Sequence, residues 1–203
     1  MLKTFRESLC AGILITIGGT VFLSCENKTA GAVLFSVALL CICYKGYYLF
    51  TGKIGYIVEQ HKKQDFLNLA VGLFGNLIAT FLLGMLLRTV LPNIGERAAE
   101  MCSAKLAQFP LYSFIRGFFC GILMYLAVSI YKEKNSVLGV LFCVPVFILC
   151  GFEHSIADMF YFGTSGIFDT KIIVFMALIV AGNTLGAMVL PLLKGVHTNE
   201  KQG

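Results

Sequence analysis

Val33-Leu34-Phe35 returns in the sequence as Val140-Leu141-Phe142, and Gly75-Asn76 returns as Gly182-Asn183, both at an offset of 107 residues. A third pair, Gly12-Ile13-Leu14 and Gly121-Ile122-Leu123, differs from that offset by two. Each copy contains three hydrophobic stretches, so the second copy begins on the opposite side of a membrane from the first. The sequence therefore predicts an inverted repeat.

Composition places the chain in a membrane. It has 203 residues, of which 58% are hydrophobic and 13% charged, far from the usage of a soluble domain. Most of its apolar runs reach the ~20 residues that cross a hydrocarbon core. They lie at about 5–23, 30–50, 66–91, 112–131, 136–162 and 172–194. We expect an all-α polytopic membrane protein with six transmembrane helices, forming one domain over 1–203 with repeats at about 5–91 and 112–195.

Basic residues orient the spans. The side of the two termini holds Lys3, Arg6, Lys53, Lys62, Lys63, Lys132, Lys134, Lys194 and Lys201, and the other side holds Lys28, Arg88, Arg97, Lys105, Arg116 and Lys171. The excess predicts cytoplasmic termini in the inner, or plasma, membrane. We expect the first span to be retained and not cleaved as a signal peptide, because the fourth span echoes it.

The charged and sulfur-bearing residues favour neither nucleic-acid binding nor a metal site. The net charge of +5 is spread over loop ends and forms no basic stripe. The eight cysteines lie mostly within apolar spans and lack ligand spacing with histidines. We therefore expect no metal and no cofactor.

Polar clusters interrupt the second and fifth spans. They are Tyr44–Lys53 and Gly151–Asp158, and an offset of 107 residues superposes Tyr47 on His154 and Thr51 on Asp158. Glycines and charged groups break a membrane helix, and inverted repeats place a substrate pathway at such breaks. The pattern predicts transport, with the second and fifth helices broken.

Titratable and amide side chains near the breaks are the candidate functional residues. Charged groups at this depth normally face a cavity or a partner. His154 is expected to face the pathway, and Glu153 either binds loop amides or pairs with a basic residue such as Arg116. For Asn76 and Asn183 two roles stay open, lining the pore or holding the broken helices by hydrogen bonds.

Three segments resemble the formate/nitrite transporter family. They are Ser113–Gly121 with Leu126-Ala127-Val128, Gly151–Ala157, which matches the family's central-histidine motif nearly letter for letter, and Leu49-Phe50-Thr51-Gly52, which resembles the loop interrupting its second helix. The resemblance covers almost the whole chain. It implies an aquaporin-like protomer in a homopentamer, with one pore per subunit for formate, nitrite, hydrosulfide or lactate.

The resemblance also implies roles for individual residues. Thr51 and His154 would line the centre of the pore, Phe50, Leu39 and Phe147 would form apolar constrictions, Asn183 would contact the substrate, and Lys105 would draw the anion into a vestibule. The chain departs from the family pattern at Gly121, Asp158 and Lys53, where asparagine is usual, and at Tyr48, where an acid is usual. We expect Gly121 to widen the pathway and Lys53 to pair with Asp158.

The favoured function is a proton-linked channel or transporter for small monovalent anions. Burial disfavours a charged form, so the anion would take up a proton from water or from His154 and cross as a neutral acid. An aquaporin-like pore for a small neutral or cationic solute is the alternative, motivated by Gly121 and Asp158. A membrane enzyme using Glu153, His154 and Asp158 has the weakest support, because the spans offer no second histidine.

Overall fold

The computed structural model describes residues 1–59 and 61–195. Lys201, counted above among the basic residues on the side of the termini, lies outside these ranges. Within these ranges the chain forms helices and loops, which confirms the predicted all-α fold. The helices are α1 (Leu2–Ser24), α2 (Lys28–Lys45), α3 (Phe50–Lys53), a 3₁₀ helix (Ile54–Val58), α4 (Lys63–Val90), α5 (Pro92–Leu106), α6 (Pro110–Lys134), α7 (Leu138–Leu149), α8 (Ser155–Ser165) and α9 (Lys171–Lys194).

Five of the described helices are long and apolar enough to cross a membrane, namely α1, α2, α4, α6 and α9. The predicted fifth span, 136–162, is divided into α7 and α8, of 12 and 11 residues. At 1.5 Å per residue each half extends less than about 20 Å, which is short of the ~30 Å hydrocarbon core. The predicted interruption of this span is therefore present.

The second and fifth spans are broken by the same helix-ending motif. After α2, Gly46 has φ +68°, and the amide of Tyr47 donates to the carbonyl of Ile42 at 3.1 Å. After α7, Gly151 has φ +69°, and the amide of Phe152 makes the equivalent bond at 2.9 Å. Glycine adopts this left-handed backbone without a Cβ clash, and the pattern is a Schellman motif. Each glycine thus ends its helix and turns the chain toward the centre of the protein.

Helix α5 lies between the third and fourth spans, where the sequence analysis assigned no helix. Pro92 occupies the first helical position, where its missing amide proton leaves no bond unmade. Ile94, Ala98 and Cys102 are buried at four-residue spacing, and Lys105 follows on the same face. This face packs against α8. A search for long apolar runs passes over such a short amphipathic helix, yet it carries Lys105 to the broken fifth span.

Close packing of α6 against α9 depends on glycines. A β-carbon at Gly121 would overlap the carbonyl oxygen of Asn183, and one at Gly186 would overlap the carbonyl oxygen of Phe118. The prediction that Gly121 widens a substrate pathway is therefore wrong. Its missing side chain is filled by the backbone of α9, and an asparagine here would push the two helices apart.

Candidate functional site

Asn76 of α4 holds the break in the second span. Its side-chain oxygen accepts from the amide of Phe50 at 2.8 Å, and its side-chain nitrogen donates to the carbonyls of Ser8 and Tyr48 at 2.8 and 2.9 Å. The residue is fully buried. A broken membrane helix leaves backbone groups that water cannot reach, and this amide satisfies two of them, the amide of Phe50 and the carbonyl of Tyr48, while also bonding the carbonyl of Ser8 in α1.

Asn183 of α9 does the same for the fifth span. Its oxygen accepts from the amide of Ser155 at 2.9 Å, and its nitrogen donates to the carbonyls of Gly117 and Glu153 at 2.8 and 2.9 Å. Both donor hydrogens are therefore engaged in a side chain with no exposed surface. Of the two roles left open by the sequence, the contacts support the holding role, and an Asn183 contact with substrate stays a prediction.

These equivalent bonds correct the register of the two interruptions. The amides of Phe50 and Ser155, and the carbonyls of Tyr48 and Glu153, are related by 105 residues, whereas Asn76 and Asn183 are related by 107. The predicted superposition of Tyr47 on His154 and of Thr51 on Asp158 is wrong by two residues. Leu49 corresponds to His154, and Lys53 corresponds to Asp158. The repeat boundaries at 5–91 and 112–195 stay a prediction.

His154 is the residue at which the two interruptions meet. Its Nε2 lies 2.9 Å from Oγ1 of Thr51, and its Nδ1 accepts from the amide of Ala157 at 3.1 Å as the N-cap of α8. Because Nδ1 accepts, the neutral ring carries its hydrogen on Nε2 and donates to Thr51. Adding a proton at Nδ1 would set it against the amide of Ala157. A proton relay through this ring therefore requires the loss of one of the two bonds.

Apolar side chains surround the His154–Thr51 bond. The ring of Phe147 stacks on that of His154, with centroids 5.6 Å apart and planes inclined by 20°. Leu39 and Phe50 are 1% and 4% exposed. The three predicted constriction residues are thus buried near the centre, and their role in a pathway stays a prediction.

Two cavities lie on either side of this centre. The outer cavity, on the side opposite the termini, has a volume of about 250 Å³ and is lined by His154, Phe147, Asp158, Lys105, Lys28 and Arg116 among others. The inner cavity, on the side of the termini, has a volume of about 90 Å³ and is lined by Leu39, Leu49, Lys53 and Lys132 among others. The two cavities share no lining residue. His154 lines the outer cavity and Gly52, next to Thr51, lines the inner one, so the His154–Thr51 bond separates the two cavities.

Lys105, Glu153 and Asp158 form a buried charge cluster at the wall of the outer cavity. The ammonium of Lys105 donates to Oε2 of Glu153 and lies 3.0 Å from Oδ1 of Asp158. Gln108 donates to Oε1 of Glu153 at 3.2 Å. The expected pairing of Lys53 with Asp158 is wrong, because Lys105 occupies that carboxylate while Lys53 lies 5.7 Å from the ring of Tyr48.

Glu153 pairs with Lys105 and not with Arg116. The sequence suggested Arg116, but only the backbone carbonyl of Arg116 contacts Glu153, accepting from its amide at 3.3 Å. Two carboxyl groups also contact the ammonium of Lys105, whose side chain is 12% exposed. An approaching anion therefore meets little free charge from Lys105.

Other cations line the two cavities, and no role in attracting an anion was predicted for them from the sequence. Lys28 and Arg116 are exposed at the outer cavity and form no ion pair with any residue of 1–59 or 61–195. At the inner cavity Lys132 lies 3.7 Å from the ring centroid of Tyr56. The sequence placed Lys28 and Arg116 on the side opposite the termini and Lys132 on the side of the termini, and this distribution could have identified them.

The sequence of the chain matches a known protein family over almost its whole length. The sequence model of the family described as formate/nitrite transporter matches residues 1–194. The chain belongs to the formate/nitrite transporter family. This membership confirms the predicted class of function, an anion channel or transporter integral to a membrane. Among the described residues, no group of three His, Cys, Asp or Glu side chains could hold a metal ion.

Two members of the formate/nitrite transporter family are similar to this chain at 30% and 25% sequence identity. The chain is 30% identical to the uncharacterized transporter YwcJ of Bacillus subtilis (strain 168) over 185 residues, covering 81% of this chain and 72% of the relative. It is 25% identical to the formate channel FocA of Escherichia coli (strain K12) over 187 residues, covering 78% and 65%. The match thus spans slightly less than two thirds of that channel.

Solved structures of the family share the fold. A pentameric formate channel with formate bound superposes with a TM-score of 0.79 at 24% identity, covering 95% of both chains. An FNT family ion channel gives a TM-score of 0.79 at 21% identity, covering 95% of this chain and 87% of the other. At these identities the likeness establishes the fold.

Proposed function

We propose that this chain passes small monovalent anions of weak acids, of the formate, nitrite and hydrosulfide class, and that each anion crosses together with a proton. The observation that carries the proposal is the His154–Thr51 hydrogen bond at the meeting point of the two interrupted spans, between a cavity with exposed cations and a second cavity with two lysines. The name of the formate channel relative supports the substrate class.

Desolvation decides the form in which the anion crosses. Moving a carboxylate-sized ion into a medium of low dielectric costs about 20 kcal/mol in the idealised limit and several kcal/mol after relaxation. Protonating an acid of pKa about 4 at neutral pH costs about 4 kcal/mol, at about 1.4 kcal/mol per pH unit. Phe147, Leu39 and Phe50 offer few polar contacts to a bare anion. The neutral acid is therefore the cheaper species at the centre.

The cations give each cavity an attraction for anions. Lys28 and Arg116 raise the anion concentration in the outer cavity, and Lys53 and Lys132 do so in the inner cavity. At the centre, the hydrogen on Nε2 of His154 and the hydroxyl of Thr51 offer one donor and one acceptor to a passing acid. The acid exchanges its hydrogen bonds with this pair as it passes.

The assembly and orientation follow the same reasoning. A homopentamer with one pathway per protomer is supported by the solved pentameric formate channel of the same fold. Cytoplasmic termini in the inner, or plasma, membrane are supported by the excess of basic residues on the side of the termini. The transport pathway is then entered from outside through the outer cavity.

A pore for a small neutral or cationic solute is the second candidate. It is favoured by the cluster at Lys105, where two carboxylates surround one ammonium and leave a net charge of −1 if both are ionised. The exposed Lys28 and Arg116 of the same cavity oppose entry of a cation. The anion is therefore the first candidate.

Stopped-flow flux into proteoliposomes tests the proposal. Formate, nitrite, hydrosulfide and lactate are compared at several pH values, and nitrate serves as a control of nearly the same size as nitrite that does not protonate. We expect nitrite and formate to enter faster as the external pH falls and nitrate to be excluded. Nitrate flux equal to that of nitrite would contradict proton-linked passage, and pH-independent flux of urea would support the second candidate.

A further inference from the structure

The two carboxylates beside Lys105 differ in how their oxygens are used. Both oxygens of Glu153 have donors, the ammonium of Lys105 at Oε2 and the amide of Gln108 at Oε1. In Asp158 only Oδ1 has a partner, Lys105 at 3.0 Å. Its Oδ2 is buried and lacks a hydrogen-bond partner within 1–59 and 61–195. Glu153 is thus satisfied as an ionised carboxylate, whereas Asp158 is not.

Charge balance leads to the same assignment. With both acids ionised, the cluster has a net charge of −1 in a buried site, which repels the anion that must enter the cavity. With one proton on Oδ2 of Asp158, the net charge is zero. Protonation also makes Oδ2 a donor, so an anion in the cavity can supply the partner that this atom lacks. The hydroxyl of Ser155, one turn earlier, also lacks a partner among the described residues.

His154 is poorly placed for the same task. Its Nδ1 is occupied by the amide of Ala157, and its Nε2 is occupied by Thr51. Both His154 and Asp158 line the outer cavity, and each is almost fully buried in its wall, so transfer from either requires a small movement that brings its polar atom to the cavity. Asp158 exchanges a proton without breaking the cap of α8 or the central hydrogen bond.

We propose that Asp158 holds an exchangeable proton at Oδ2 and donates it to the weak-acid anion in the outer cavity. In this step the O–H bond of the carboxyl breaks, an O–H bond to the anion forms, and the ionised Asp158 stays paired with Lys105. Water of the outer cavity returns a proton before the next anion enters. The proposal rests on the proton-linked function proposed above, and it names the residue that supplies the proton.

Other titratable groups lie near Asp158 on α5, α6, α8 and the loop before α8. They are Lys105 and Cys102 of α5, Cys120 of α6, Glu153 and His154 of the preceding loop, and Tyr161 of α8. Each of these residues stays unchanged in Asp158→Asn, which keeps the shape of the side chain and the contact of one oxygen with Lys105. The variant therefore isolates the exchangeable proton.

Formate uptake by Asp158→Asn proteoliposomes, measured against external pH with protein-free liposomes subtracted, is the test. We expect uptake at neutral pH to fall roughly a hundredfold, within the range that a positioned acid contributes to proton transfer. Asp158→Glu, which restores an acid, should recover part of the rate. An unchanged pH profile in Asp158→Asn, at an unchanged melting temperature, would overturn the proposal and leave proton-linked transport intact.

Infrared spectroscopy provides a readout that does not depend on transport. The wild-type protein should show the C=O band of a protonated carboxyl near neutral pH, and Asp158→Asn should lack it. A wild-type spectrum without this band would overturn the assignment to Asp158. Wild-type flux without proton dependence would instead overturn the proposed function, so the two failures are distinguishable.

Discussion

Replacement of Asn183 by alanine tests whether this residue holds the fifth span together or contacts the substrate. The change removes three buried hydrogen bonds, from the amide of Ser155 and to the carbonyls of Gly117 and Glu153. The Gly117 carbonyl keeps its helical bond within α6, so the groups left unsatisfied are the Ser155 amide and the Glu153 carbonyl, at about 1–3 kcal/mol each and about 2–6 kcal/mol together. We expect a large loss of stability and a loss of flux for every solute.

The assay is the melting temperature of the purified protein in detergent, followed by flux of formate and nitrite in liposomes. Thr184→Ala, one residue further along α9, is the matched control, because it removes a single bond from the Thr184 hydroxyl to the carbonyl of Val180 at 2.8 Å. We expect a cost near 1 kcal/mol for that variant. An Asn183→Ala protein that melts like the wild type but has altered selectivity between formate and nitrite would refute the holding role.

Three further predictions concern the centre, the helix contact and the charge cluster. Thr51→Val, which leaves the Nε2 hydrogen of His154 without a partner, should destabilise the protein by about 1–3 kcal/mol in thermal melts, and Thr51→Ser should restore stability. Gly121→Ala should lower the melting temperature at a cost of about 1–3 kcal/mol, because its β-carbon overlaps α9; an unaffected melt would contradict the packing. Lys105→Gln should destabilise by about 3–5 kcal/mol, since it leaves the buried carboxylate of Glu153 without its ammonium partner, whereas Arg116→Gln should slow anion entry at low salt and leave stability unchanged; equal melting temperatures for the two variants would contradict this difference.

Local chemistry made the helix breaks predictable. Gly46 and Gly151 stand within polar clusters of apolar spans, and glycine is the residue that most readily adopts the left-handed backbone that ends a helix. The importance of the repeated Gly-Asn pairs was also predictable, because a buried side-chain amide in a membrane helix must form hydrogen bonds with other polar groups. The position of His154 at the meeting point of the breaks was thus accessible from the sequence.

Contacts between distant elements were not predictable in the same way. Lys105 reaches Glu153 and Asp158 from α5, and its placement depends on how a short amphipathic helix packs against α8. The offset between halves also changes from 107 to 105 residues at the breaks, so a fixed offset misassigned Tyr47 and Thr51. Pairing partners in a buried cluster depend on such small shifts.

The central claim is that the anion crosses as a neutral acid. The most direct test is whether formate transport moves net charge across the membrane. Formate flux is measured in proteoliposomes whose membrane potential is set with potassium and valinomycin, together with the internal pH. The account predicts one proton entering per formate and a rate that does not change with potential. A formate current that follows the membrane potential, without internal acidification, would contradict it.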